Sequence, residues 1–484
     1  SDVCSSDLLS NLLAIPLIIS QELLYLGACL VFVMALRRLG LSTPKLLVGF
    51  AFLAFNPFTF NFFPNVYPFR FGIYPAVSLL VFGLAYHILI SRERQEPHRL
   101  LLLAFGLVLG WFWNIRGESI WVAPSIAFLS LAYVIASYRQ IASARVEGTI
   151  VALTVAIFFA GVGFALVNSG IAYQNYRVYG VYTTNEMKSP AFRAAYGGLI
   201  RIETEVWERF IPVNREARNI AYGVSPSFKQ LEEYFENGRG TRTWMKGSAD
   251  YPAAFFPWAF RDGLYVAGYF RDAPSTHKFL NAIGEEIDQA CDAKVIKCRP
   301  RFSELAPKWH SEWNQLAFTT FFDFLKLFVK FKGLVPNGPE IGSANDEKLE
   351  INYKYTTGSA VRPQEHRMWR VPEFQREKIH QRWLIFSKIE WIYRHLPQIF
   401  FVIGLAVLGW RLAKNLRKTV IQSSDAIGLS LLIGMCSYAL ILTVLEVTSY
   451  APSGRNLFAM YPIVLAFILN ALSLGLRGGQ ISRS

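Results

Sequence analysis

The sequence predicts an all-α polytopic membrane protein, with about nine transmembrane helices and a mainly helical extracytoplasmic domain inserted after the sixth span. Three observations predict it. Hydrophobic residues make up 52% of the 484 residues and charged residues only 17%, against about 25% charged in an ordinary soluble domain. Mean hydropathy is positive, at +0.27. The apolar residues gather into runs near the length, about 20 residues, that a helix needs to cross a bilayer. This composition excludes a disordered chain, a coiled coil and a disulfide-dense secreted module.

The elements follow in order. Residues 1–7 (Ser1 to Asp7) are acidic and lack the basic start of a signal peptide. They resemble an adapter-derived scar, so the natural N-terminus is expected upstream. Leu8–Ile19 is apolar but interrupted by Pro16. It lies too close to Gln21 for a turn between two spans, and is expected to lie along the membrane surface. Candidate spans are Gln21–Leu36, Leu46–Phe63, Phe71–Ile90, Leu100–Ile115, Ile120–Ile135, Ile150–Ala172, Ile399–Ala413, Ala426–Val447 and Leu457–Leu476. The fourth and fifth are short; a hairpin dipping into the membrane is the alternative. This gives an N-terminal membrane bundle over 8–173, a soluble domain over 174–395 and a three-span C-terminal bundle over 396–484.

Basic residues set the orientation, because cytoplasmic loops retain Lys and Arg. One set of short loops carries fourteen of them, from Arg37 and Arg38 to Arg483; the alternate set carries only Arg70, Arg116 and Arg455. The first set is therefore expected in the cytoplasm, with the C-terminus, and Gln174–His395 outside the plasma (inner) membrane. That segment holds 32 basic and 26 acidic residues, ordinary for a soluble domain. The net charge of +14 is thus explained by loop charges, and a nucleic-acid partner is unnecessary.

In the outer domain, helices are expected at Pro190–Phe210, Ser227–Phe235, Trp258–Phe270, Thr276–Cys291, Trp313–Phe331 and Phe374–Arg394. Trp313–Phe331 carries one narrow polar stripe of Thr319, Asp323, Lys326 and Lys330. It suits either a soluble core or the outer-leaflet interface. Cys291 and Cys298 lie outside with six residues between them, and an oxidising compartment favours a disulfide. Two Cys without nearby His fall short of a zinc set; no metal site or cofactor is identified. Neither HExxH, a P-loop, GxGxxG nor GxSxG occurs.

Chemistry is expected at the outer mouths of the spans. Arg116 and Glu118 join the fourth and fifth, Arg70 closes an aromatic loop, and Arg455 lies in the last outer loop before Tyr461-Pro462. Glu446 lies in the outer end of its span. Ionisable groups at membrane depth are costly and point to function, and Arg forks suit phosphate. The competing reading is that these residues anchor or snorkel at helix ends, with Glu446 pairing with Arg455.

Gly106-Leu107-Val108-Leu109-Gly110 followed by Arg116-Gly117-Glu118 resembles a segment of the GT-C integral-membrane glycosyltransferases, a family that includes protein O-mannosyltransferases and aminoarabinose transferases. Gly454-Arg455-Asn456-Leu457-Phe458 with Tyr461-Pro462, and Leu36-Arg37-Arg38-Leu39-Gly40, resemble two others. The resemblance covers the membrane parts, about half the chain. It implies transfer of a sugar from a polyprenyl-phosphate carrier to a glycan, lipid or protein acceptor at the outer face. Arg116 and Arg455 would contact phosphate, Glu118 and Glu446 would orient them or the sugar, and Arg70 and Tyr461 are further lipid-phosphate or substrate-binding candidates. The family's catalytic Asp is expected upstream of residue 1, and Asp2 and Asp7 are not cast in that role. A polysaccharide polymerase or ligase, or a non-enzymatic receptor or assembly scaffold, are the alternatives.

Overall fold

The computed structural model describes residues 15–60, 72–140, 145–205, 208–245, 247–300, 309–331, 373–416, 422–449 and 457–475. Among these residues the chain is helical and has no strand. Apolar helices come first: α1 (Leu17–Arg38), α2 (Thr43–Ala54), α3 (Tyr74–Glu93), α4 (Arg99–Ile115), α5 (Ala123–Gln140) and α6 (Arg145–Tyr179). Then follow α7 (Pro190–Arg201), α8 (Arg215–Val224), α9 (Pro226–Lys229), α10 (Glu232–Glu236), α11 (Arg239–Trp244), α12 (Phe256–Val266) and α13 (Ala273–Asp292). The chain ends with α14 (Trp313–Lys330), α15 (Glu373–Leu416), α16 (Ser423–Ser449) and α17 (Tyr461–Gly475).

Six helices are long and apolar enough to cross a membrane; Thr43–Ala54, Arg99–Ile115 and Leu457–Ser473 are apolar but shorter. All nine apolar segments thus contain a helix. The second is not the single span predicted over Leu46–Phe63. It stops at Ala54, because Asn56 precedes Pro57 and a residue before proline is driven out of the helical region. A 3-10 turn, Pro57–Phe60, follows, and residues 61–63 lie outside the described residues. The predicted surface helix over Leu8–Ile19 is also revised: Leu17–Ile19 open α1 with Pro16 at its N-cap, and residues 8–14 lie outside the described residues.

The chain divides into two compact units, residues 1–167, 322–441 and 453–484 in one and residues 168–321 and 442–452 in the other. In the first, α3 is the central helix and packs against α1, α4, α5 and α17. Buried polar groups are matched between elements. The Tyr86 hydroxyl donates to Asn470 Oδ1 at 2.5 Å, and Asn470 Nδ2 donates to the Ser424 carbonyl at 2.9 Å. Buried Asn56 donates to the Tyr25 hydroxyl at 2.7 Å. The loop cations are paired as well: Arg38 with Glu96, and Arg411 with the fully buried Asp425 at 2.8 Å.

Helices α4 and α6 meet through glycine. A Cβ on Gly106 would collide with the Ala160 carbonyl, and one on Gly163 with the Leu103 carbonyl. Gly110 lies one turn on, its would-be Cβ 3.0 Å from the Phe164 carbonyl. This is the small-xxx-small contact by which membrane helices approach closely.

The second unit is built around aromatic side chains: Phe192, Phe228, Phe235, Phe256 and Phe260 are buried, and α7 packs along α13. Short polar side chains start its helices. Ser189, Asn214, Ser225 and Asp272 each accept from a backbone N–H of the following first turn, satisfying donors that have no helical partner. Two of its predicted helices are shorter than expected, whereas Thr276–Cys291 is extended to Ala273–Asp292. Pro190–Phe210 ends at Arg201, where Ile202 forms a bridge to Cys298. Ser227–Phe235 is two short helices, and α8 and α11 were not foreseen.

Phe374–Arg394 is the first half of a 44-residue helix that runs on through Pro397 to Leu416. Helix α14 keeps its polar stripe exposed. From Phe322 onward it groups with the membrane-helix unit, where Phe328 stacks on Tyr438 and Phe331 on Tyr461.

Candidate functional site

Arg116 interrupts two apolar helices. It takes an extended conformation (φ −141°, ψ 153°) immediately after α4, and a 3-10 turn, Gly117–Val122, leads into α5. An unbroken helix would satisfy the Phe112 carbonyl with the N–H of residue 116. Here the Ser119 hydroxyl donates to that carbonyl at 2.9 Å instead. The break is therefore satisfied locally, and it projects Arg116 and Glu118 from the junction.

The two side chains form an ion pair, each about one-seventh exposed (13% and 15%). The Arg116 guanidinium also lies 5.6 Å from the centre of the Tyr74 ring, within cation–π reach. Tyr74 stacks on Phe112 with centroids 5.0 Å apart and accepts a 2.8 Å hydrogen bond from Trp121 Nε1. Trp121 meets Tyr438 at 5.5 Å, which stacks in turn on Phe328. Tyr74, Phe112, Trp121 and Tyr438 are essentially fully buried. The result is a charged pair above a rigid aromatic floor. Chemically, this suits an anion on the guanidinium, with Glu118 fixing the guanidinium's direction.

Of the residues singled out in the sequence, the structure brings Arg116 and Glu118 together. Arg70 and Arg455 lie outside the described residues. Tyr461 is fully buried between Phe331 and Phe458, in a packing environment. Glu446 belongs to the other unit, with one carboxylate oxygen buried and without a hydrogen-bond partner among the described residues. Gly106 and Gly110, which carry part of the family resemblance, have a packing role of their own in the α4–α6 contact. Tyr74, Ser119 and Tyr438 were not singled out. The signal for Tyr74 was its place just beyond the aromatic loop, but nothing local pairs it with Trp121.

In the second unit, Cys291 and Cys298 form a disulfide, with Cα atoms 5.6 Å apart. A second feature that sequence reasoning missed is the buried cation Arg218. Its side chain is 1% exposed; Nε donates to Glu236 at 2.7 Å, and Nη1 to Asp250 at 2.6 Å and to the Val213 carbonyl at 3.0 Å. Burial pushes the Glu236 carboxyl up, but the hydrogen bond and charge of Arg218 outweigh it and hold it below the usual range. With its donors taken by protein acceptors, this cluster is a structural tie. Among the described residues, no group of three or more His, Cys, Asp or Glu side chains comes together as a metal set. Comparison of the chain with protein-family models, curated proteins and solved structures finds no match.

Proposed function

We propose that the chain belongs to an integral-membrane glycosyltransferase, which moves a sugar from a polyprenyl-phosphate carrier to an acceptor at the outer face of the membrane. In this reading the nine apolar helices are spans, residues 174–395 are extracytoplasmic and the C-terminus is cytoplasmic. The observation that carries it is the Arg116–Glu118 pair, held at a helix junction over a buried aromatic floor. A structural anchor at the bilayer surface needs no such floor. The Cys291–Cys298 disulfide supports the outward orientation, since disulfides persist in oxidising compartments.

The acceptor hydroxyl attacks the sugar's anomeric carbon while the bond from that carbon to the phosphate oxygen breaks, and the phosphate leaves with the electron pair. Arg116 stabilises the charge that develops on it. The hydroxyl proton passes to a carboxylate acting as general base.

In the full-length protein, Arg116→Ala should lower sugar transfer roughly ten- to a hundredfold, from the loss of a charge-assisted contact of about 1.5–3 kcal/mol. Arg116→Lys should recover part of it, keeping the charge but losing the fork. Full transfer by both variants would exclude this site. Orientation has its own test. Cysteine placed at the exposed Ser248 should react with an impermeant thiol reagent on intact cells; reaction only after lysis would reverse the topology.

A further inference from the structure

The second unit encloses a cavity of about 250 Å³ that the proposed transfer site does not use. Its walls are mainly apolar, from Phe192, Tyr196, Ile200, Ile202 and Trp313. Thr448 and Ser449, the last residues of α16, also line it. Arg299 and Glu208 are its two charged side chains.

Arg299 is unusually well fixed. It follows Cys298 of the disulfide directly, and Cys298 bridges Ile202. The Arg299 N–H donates to the Arg201 carbonyl at 2.8 Å, and Arg201 Nε donates back to the Arg299 carbonyl at 3.3 Å. Among the described residues, no carboxylate pairs with its guanidinium. Glu208, also in the lining, forms no ion pair with it among the described residues. Arg209 is close to the α16 end, where its guanidinium donates to the Val447 carbonyl at 3.2 Å and lies over the Phe210 ring. The cavity lining therefore carries one cation, Arg299, and one carboxylate, Glu208.

We propose that this cavity binds a single-chain amphiphile, with its hydrocarbon chain among the aromatic and aliphatic walls and its anionic head, a phosphate or a carboxylate, on Arg299. The volume falls below the 300 Å³ or more of drug-sized sites, so it suits one chain or chain end. The source of the ligand is a lipid surface, because the cavity adjoins the end of an apolar helix long enough to cross a membrane; this rests on the reading of α16 as a span. Pre-fixing Arg299 by a covalent cross-link lowers the ordering cost of binding.

The test uses the purified full chain in nanodiscs of zwitterionic phospholipid, with a photoreactive dodecyl phosphate as probe. Crosslinks should map to peptides containing Tyr196 or Trp313. Dodecyl phosphate or dodecanoate should compete at least tenfold better than dodecanol, and the better of the two anions identifies the head group. Arg299→Gln should erase the tenfold preference, and Ile200→Trp should abolish labelling while the thermal midpoint holds. Labelling confined to the apolar helices, or equal competition by anion and alcohol on the wild-type protein, would overturn the proposal. The wild-type comparison stands even where a variant fails to fold. Labelling requires no sugar transfer, so its failure and that of the glycosyltransferase reading are distinguishable.

Discussion

Helices α3 and α6 belong in part to the same unit and follow opposite patterns. Over its span, α3 has a mean hydropathy of 1.6 and is 89% buried; α6 has 2.6 and is 6% buried. The more apolar helix is the more exposed one. In water this would be a large unpaid hydrophobic cost, and the exposed Ile150, Val151, Ile157, Phe158 and Leu166 would form an aggregation surface. In a bilayer it is the expected order. Lipid tails are as apolar as leucine, so small and polar side chains decide which helix lies inside. Helix α3 brings Ser78, Gly83, Tyr86 and Ser91 to its neighbours. The second unit follows the aqueous rule instead, with Phe192, Phe228, Phe235, Phe256 and Phe260 buried and the buried cation Arg218 tied to two carboxylates.

The largest expected effect breaks that tie. Arg218→Met leaves the buried Asp250 without its guanidinium and Glu236 with only the exposed Arg215 as a cation partner, and should destabilise that unit by about 3–5 kcal/mol, read as a lower thermal midpoint. The cluster also predicts a pH dependence. The folded-state pKa of Glu236 is depressed, so its stabilisation is complete above the unfolded carboxylate value of about 4.3 and is lost as pH falls through the lower folded value. The thermal midpoint should fall over that acidic range, and less steeply in Glu236→Gln.

Next comes the lipid-facing surface. Phe158→Arg on α6 should cost about 2.5–3.5 kcal/mol of membrane insertion, measured as the fraction of α6 inserted by the translocation machinery. If α6 faces water, the same change is harmless. Gly163→Leu should separate α4 from α6 at a cost of about 1–3 kcal/mol from overpacking, read as a lower midpoint in detergent. The smallest effect is Tyr86→Phe, which removes one interhelical hydrogen bond to Asn470 at about 0.6 kcal/mol.

Much of the helix pattern was legible because each apolar run states its own length and each proline marks a boundary, as Pro57 does after α2. The cysteine pairing was legible from spacing and expected compartment. The floor beneath Arg116 was not. It joins Tyr74 to Trp121 across 47 positions and reaches Tyr438 on a helix from the other end of the chain. The Arg218 cluster was hidden for a similar reason: its carboxylates lie 18 and 32 residues away, beyond any helical period.

The sequence by itself determined that the chain is helical and apolar enough to enter a membrane, and where its cations concentrate. These properties depend on residues within a few turns of one another. Tertiary structure alone decided which apolar helix is central, that Gly106 and Gly110 serve a helix contact, that Tyr461 is packed among aromatic rings, and that Arg299 is fixed beside a cavity. Each depends on groups brought together by folding over long separations, and no local pattern in the chain encodes that proximity.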